Sequence, residues 1–442
     1  MRQIRIAMTA VCLTAVLAFI GSAAAMPSSP DLATKAGVAR YLKSLGVDPA
    51  GVVVQRGARN YAGPNCPGRG WRCTQATRVL QLGAVNFFVC EPGSGSEDGG
   101  LQTCTIVQPG PRSVNNARCV QRTSEVPARQ HCSITQRGTR NTAQIIQEAT
   151  QETGTDQPAL QTGVLSQTAS QSNLASVTQH VFQEILSGET QTQNAHQVAD
   201  TVQTATGTAP NRLTLRQTQF QRALDGITQL QNAGAFPDSI DDCGNEPFGP
   251  AEPNICAKVT QTSARGLNNV EFKQRSDQTA RTEALAVQQQ NRFNGGLEGD
   301  VHQATGTGSS NLEADQDKTQ RQVGAAGSSQ TQFDPTSCCG ISSQEGGTGN
   351  AETIDQSVDQ FASEDRGASQ QIQIFGTSNT QGSCSVTHHA STNTDSSDRT
   401  ESREPPCGIL ILETVCTSDV EEPSVLQEPG CVTRVVPPPD ID

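Results

Sequence analysis

The sequence predicts a mainly β protein: an irregular β-solenoid-like body rich in Gln and Asn, preceded by a small disulfide-stapled N-terminal α+β module. Three observations carry that prediction. Of 442 residues, 34% are hydrophobic and 3% aromatic, too few for one large close-packed core. Glutamine fills the gap, with 47 in the chain and 39 of them between Gln130 and Gln381. Where the body has a period, it is two. In Leu213-Thr-Leu215-Arg-Gln217-Thr-Gln219-Phe-Gln221, the residues Leu213, Leu215, Gln217, Gln219 and Gln221 fall on one face of a strand.

Residues 1–25 read as a signal peptide. Arg2 and Arg5 precede an apolar run over residues 6–20, and Ala23-Ala24-Ala25 closes it, which predicts cleavage before Met26. No later stretch approaches the roughly 18 apolar residues that a membrane helix needs, so no transmembrane span is expected after cleavage. Loss of Arg2 and Arg5 takes the net charge from −13 to −15. An acidic chain with five Lys argues against a phosphate backbone as ligand, so no nucleic acid is expected as a partner. The expected location is secreted, either extracellular or at the cell surface.

Removing Cys12 with the signal leaves 14 of the 15 Cys, an even number that in an exported chain reads as a disulfide framework. Cys90/Cys104, Cys119/Cys132 and Cys243/Cys256 are 14, 13 and 13 positions apart, with strand-like flanks and loop-like interiors. A hairpin stapled across its base explains that spacing. Cys66 and Cys73 bracket a Pro/Gly turn as a fourth pair, while the spacing leaves Cys338, Cys339, Cys384, Cys407, Cys416 and Cys431 unassigned.

Composition divides the mature chain in three. Residues 26–129 hold Trp71, Tyr41 and Tyr61. A helix is expected over residues 30–45, from Leu32, Ala36, Ala39 and Leu42 with Gly46 beyond its end, and strands over residues 52–55, 77–82, 86–90 and 103–108. Residues 130–385 form the Gln/Asn-rich body. There a helix competes with a strand over residues 177–186, where Val177, Val181 and Ile185 recur at i+4, and again over residues 282–290. Residues 386–442 are an acidic, Cys-containing segment, with a small stapled β unit expected over residues 407–431.

The body opens with Gln136-Arg-Gly138-Thr-Arg-Asn141-Thr-Ala143-Gln-Ile-Ile-Gln147, which spells Q-x-G-x-x-N-x-A-x-x-x-Q. A second, imperfect copy holds Gln161, Gln167, Asn173, Ala175 and Gln179, with Ala169 at the Gly position and one residue inserted before Asn173. Fainter echoes are Gly308 and Asn311 with Gln316, and Gly376 and Asn379 after Gln373. This pattern resembles the curlin repeat of bacterial extracellular amyloid fibres, except that Gln130 stands where the family has Ser. The resemblance implies strand–turn–strand rungs stacked about 4.8 Å apart. Inward Gln and Asn amides would pair along the stack. Gly would relieve the turn, and Ala would allow close sheet approach. Irregular spacing and the Cys243/Cys256 loop fit a capped solenoid or an adhesin stalk better than a bare fibre unit.

Catalytic signatures are missing: the chain has no H-E-x-x-H, G-x-S-x-G or P-loop sequence. His388-His389 has no companion ligand at useful spacing, and Asp238, Asp241 and Asp242 follow no calcium-loop pattern. Tyr61 and Trp71 read as the core of a stapled domain rather than a sugar platform. The expectation is a non-enzymatic structural protein without metal or cofactor, self-associating into fibres. A surface adhesin that binds a glycan or protein through residues 26–129 is the alternative.

Overall fold

The computed structural model describes residues 32–91, 101–231, 255–284, 286–290, 297–325, 329–334, 340–347, 349–362, 370–371, 375–379, 382–391, 396–403, 407–417 and 430–436. The segment 1–25 read as a signal peptide, Cys243, Gln373, Cys338, Cys339 and the Asp238, Asp241 and Asp242 cluster lie outside them. Two compact units are present: Met1–Val53 with Pro437–Asp442, and Val54–Val436.

The first unit contributes helix Lys35–Ser44. It starts later than the sequence pattern suggests because Thr34 takes the cap, its Oγ1 accepting from Gly37 N at 3.1 Å. Val38 and Leu42 are its buried apolar residues, and Gly46, at φ +72°, leads the chain out of the last turn.

The second unit is a stack of parallel strands. Strand Ala128–Gln151 shows how one rung is made. Its first half pairs with Leu101–Gln108, from Leu101↔Arg129 to Gln108↔Gln136. Its second half pairs with Val114–Thr123, from Val114↔Arg140 to Thr123↔Ala149. On the other side it pairs along its length with Asp156–Ile185, from Ala128↔Ala159 to Gln151↔Gln183. Each rung therefore gives one strand to a first stack, turns, and gives one to a second. The first stack continues through Thr190–Ala205, Ile255–Ser263, Leu297–Thr305, Gly340–Gly346 and Phe375–Asn379. The second continues through Asn211–Leu224, Leu267–Arg281, Ser309–Val323, Asn350–Ala362 and Gly382–Ser391.

The boundary expected at residue 129/130 falls inside strand Ala128–Gln151, and the stack runs on both sides of it. The helical alternative over residues 177–186 gives way to strand because i+4 is also a multiple of two. Val177, Gln179, Val181, Gln183 and Ile185 all point inward and are buried. Val287–Gln290 is likewise strand.

Apolar residues fill the middle of the space between the stacks. One column of the second stack reads Cys119, Ile145, Val177, Leu215, Phe272. The corresponding column of the first stack reads Cys132, Gly163, Ala199, Ala257, Gly299. Large residues thus meet small ones. A Cβ on Gly299 would lie 2.7 Å from the Phe272 ring, so only glycine leaves room for that side chain.

Disulfides Cys90–Cys104 and Cys119–Cys132 occupy these same columns, with Cα atoms 6.2 and 6.5 Å apart. They correct the hairpin expectation. Val85–Cys90 and Leu101–Gln108 do not pair with each other; each lies parallel to strands of its own stack, and the bridges cross the core. Cys66–Cys73 closes a short loop as the spacing suggests, with Tyr61 stacked on Phe87 and edge-on to Trp71 beside it. Cys256 is disulfide-bonded.

The last rung ends differently. Gly382–Ser391 receives Ser396–Arg403 antiparallel, and Phe375–Asn379 receives Cys407–Thr417 antiparallel. Gly430–Val436 then pairs with Cys407–Thr417, placing Cys416 opposite Cys431.

Candidate assembly site

An inward Asn or Gln in a parallel, in-register stack lies directly above its counterpart one rung away. That distance, about 4.8 Å, suits an amide-to-amide hydrogen bond. The chain exploits this in several columns. Asn60, Asn86, Asn115, Asn141, Asn173, Asn211 and Asn268 form one ladder, each Nδ2 donating to the Oδ1 of the next at 2.9 Å. Gln55, Gln81, Gln108, Gln136, Gln167, Gln203, Gln261, Gln303 and Gln344 form a second. There the donors point the other way, each Nε2 to the preceding Oε1 at 2.6–3.0 Å. A third joins Gln121, Gln147, Gln179, Gln217, Gln274 and Gln316 at 2.7–2.9 Å.

The remaining amide proton usually reaches across the core to a backbone carbonyl, as Gln136 Nε2 does to Thr142 O at 3.1 Å and Gln147 Nε2 to Thr162 O at 3.0 Å. Most of the buried Asn and Gln side chains among the described residues thereby keep their hydrogen bonds.

Gln136, Asn141 and Gln147 occupy the three ladders in one rung, and Gln167, Asn173 and Gln179 in the next. Ala143 stacks between Ala117 and Ala175, whereas later rungs carry Leu213 and Val270 in that column. Gly138 serves the ladder rather than a left-handed turn: a Cβ there would lie 2.5 Å from Ser113 O and 2.6 Å from Asn115 Nδ2. In the second copy Ala169 pairs with Gly138, and the inserted residue is absorbed by a register shift before Arg140↔Ser172.

In both faint echoes the Asn sits out of register with the Asn ladder, although Gln316 of the first keeps its place in the third ladder. Ser310, not Asn311, follows Asn268 in its column, and Asn311 Nδ2 instead meets Asn269 Oδ1 on the outer face. Asn379 aligns with Gln344, a Gln-ladder position.

Sequence reasoning missed the ladder members within residues 55–121, which lie in the part read as a separate module. It also missed outer ladders such as Gln102–Gln130–Gln161–Gln197 and Gln151–Gln183–Gln221–Gln278–Gln320. Part of the signal was present as a Gln or Asn six residues before another Gln, as in Gln102 and Gln108 or Asn115 and Gln121, and as a Gln four residues after another, as in Gln147 and Gln151 or Gln179 and Gln183.

Where a ladder stops, a buried acceptor is left over. Asn60 Oδ1 and Gln197 Oε1 have no hydrogen-bond partner among the described residues, the latter because Ile255 follows Gln197. Titratable groups are also folded into the stack. Burial pushes His196 down to about 4 and lowers His131 and His180, with Glu148 opposing the shift at His180. Asp200, Lys258 and Asp300 follow one another in a column, where burial raises both carboxyls and Lys258 opposes it.

What this arrangement does chemically is hold backbone and amides in register. No family model, curated protein or solved structure matches the chain. Among the described residues, no helix is long and apolar enough to cross a membrane, and no group of three or more His, Cys, Asp or Glu is placed to hold a metal ion.

Proposed function

We propose that the chain is an exported structural protein of an extracellular matrix, fibre or surface layer, in which the amide-laddered stack is the rigid building element. One observation carries this reading. The Asn and Gln ladders run unbroken through seven and nine members, ordering a long chain that has few apolar residues. Two disulfides crossing the core suit an oxidising compartment. The curlin-like repeat points to extracellular fibres.

The test is electron microscopy and assembly kinetics of the mature, oxidised protein beside a Gln136→Leu/Asn141→Leu/Gln147→Leu variant. Those Leu side chains would strip partners from Gln108 and Gln167, Asn115 and Asn173, and Gln121 and Gln179. Each buried amide left unpaired costs about 1–3 kcal/mol. The variant should be exported and oxidised, yet assemble more slowly and be cut faster by protease. Wild-type kinetics together with wild-type protease resistance would remove the reading.

A further inference from the structure

Charge is distributed unevenly along the stack. Residues 54–150 carry eleven Arg, no Lys and five carboxylates, a net +6, whereas residues 151–442 carry 15 basic and 37 acidic residues, a net −22. The basic end is organised. Arg56-Gly57-Ala58-Arg59 leads into strand Arg59–Ala62, and Arg137-Gly138-Thr139-Arg140 is the part of strand Ala128–Gln151 where its pairing passes from Leu101–Gln108 to Val114–Thr123. Both lie at the same edge of the stack, with Arg112 in a turn between them. Register places Arg59 and Arg140 in one column, three rungs or about 14 Å apart. All five side chains are exposed, and none has a carboxylate partner among the described residues.

The acidic end is organised too, on the outer face of the second stack. Glu271 aligns with Glu313, and Asp315 with Asp355. Like charges directly opposite in adjacent strands repel. Glu271 and Asp315 are relieved by Arg216 at 3.1 Å and Lys273 at 3.8 Å, but exposed Glu313 and Asp355 meet no cation among the described residues. At the C-terminal end, antiparallel strands pair with Phe375–Asn379 and Gly382–Ser391, the last described strands of the two stacks.

Resting on the structural reading above, we infer that the arginine edge is a docking surface for the acidic face of a second copy of this chain, giving a staggered side-to-side contact. Charge complementarity selects that occupant. One end of the molecule bears a cluster of exposed cations without carboxylate partners among the described residues, Arg140 meeting only the neutral Gln171. The other bears exposed anions without cation partners among them, four or more rungs away. Such contacts steer encounter and weaken as salt screens them.

The experiment follows assembly by light scattering and electron microscopy, at low and high NaCl, for three oxidised full-length mature proteins. They are the wild type, a variant with Arg56→Glu, Arg59→Glu, Arg112→Glu, Arg137→Glu and Arg140→Glu, and a variant with Glu313→Arg and Asp355→Arg. Circular dichroism checks that each retains its β signal. At low salt each variant alone should assemble about tenfold or more slowly than wild type. An equimolar mixture should recover most of the rate, since each edge then meets a face of opposite sign. If the five-Arg variant assembles like wild type, the docking surface is wrong while the structural reading stands. Slow assembly without recovery on mixing, accompanied by wild-type but not variant retention on immobilised alginate, overturns it in favour of a polyanionic glycan. A wild type that never assembles removes the structural reading, and this inference with it.

Discussion

Gln219 shows what the ladders are worth, because it has none. It is fully buried in the column Ala149, Val181, Gln219, Ser276, Lys318, where neither stacked neighbour carries an amide. Its Nε2 and Oε1 have no hydrogen-bond partner among the described residues. Gln217 and Gln221, two positions away on the same face, are bonded to Gln179 and Gln183 at 2.8 Å. The side chain is identical; only the stacked neighbour differs. Replacing Gln219 by Val, the residue that Val181 already places in this column, removes two unsatisfied polar atoms. Gln219→Val should stabilise the protein by about 1–3 kcal/mol, while Gln217→Val should destabilise it by a similar amount. Urea unfolding of the two variants measures both signs.

Strand Thr190–Ala205 buries His196 in register with Leu160. Its folded value of about 4 lies below the ordinary 6.5, so between those limits the unfolded chain binds a proton that the folded chain refuses. The stability this site contributes is therefore full above pH 6.5, falls as pH drops toward 4, and is flat below. His196→Leu, copying its stacked neighbour, should flatten the loss of stability across that window relative to wild type, as read by unfolding midpoints at successive pH values. If the two proteins lose stability in parallel, His196 is not the group responsible.

Strands are also the level at which the sequence was readable. Within a strand the spacing is rigid: Asn115 to Gln121, Asn141 to Gln147, Asn173 to Gln179 and Asn211 to Gln217 are each six residues. Pleating forces this, since two inward ladders on one strand must be an even number apart. Across the turn the interval from Gln to Asn runs from five residues (Gln136 to Asn141) to eight (Gln203 to Asn211), because turns and bulges absorb insertions without disturbing register. A repeat sought at fixed overall length is therefore found once and lost after Gln167. The period-two reading of Leu213–Gln221 needed no turn and matches the burial observed. Cross-core disulfides escaped for the opposite reason: residue spacing records that Cys90 and Cys104 are near each other, not whether they face across a hairpin or across a core.

At the scale of the molecule, a parallel stack poses a problem that a closed barrel does not. Its terminal strands present unpaired N–H and C=O groups in the orientation that accepts another rung. The C-terminal end resolves this by reversing direction: Ser396–Arg403 and Cys407–Thr417 run antiparallel to the last strand of each stack. The first of these reads Ser-Ser-Asp-Arg-Thr-Glu-Ser-Arg, four charges in eight residues, a composition that disfavours pairing with a further strand. The acidic C-terminal segment is on this view a terminator that limits growth along the stack, which leaves the proposed electrostatic contact between sides as the route for any assembly. A chain ending at Ser391 should then behave differently from the full chain. With free thiols alkylated, it should form larger species by sedimentation, and these should persist in high salt, because strand pairing is far less screened than contact between exposed charges. Full-length protein under the same conditions should disperse. A truncated chain that stays monomeric in high salt would show that the antiparallel strands are not what stops growth at this end.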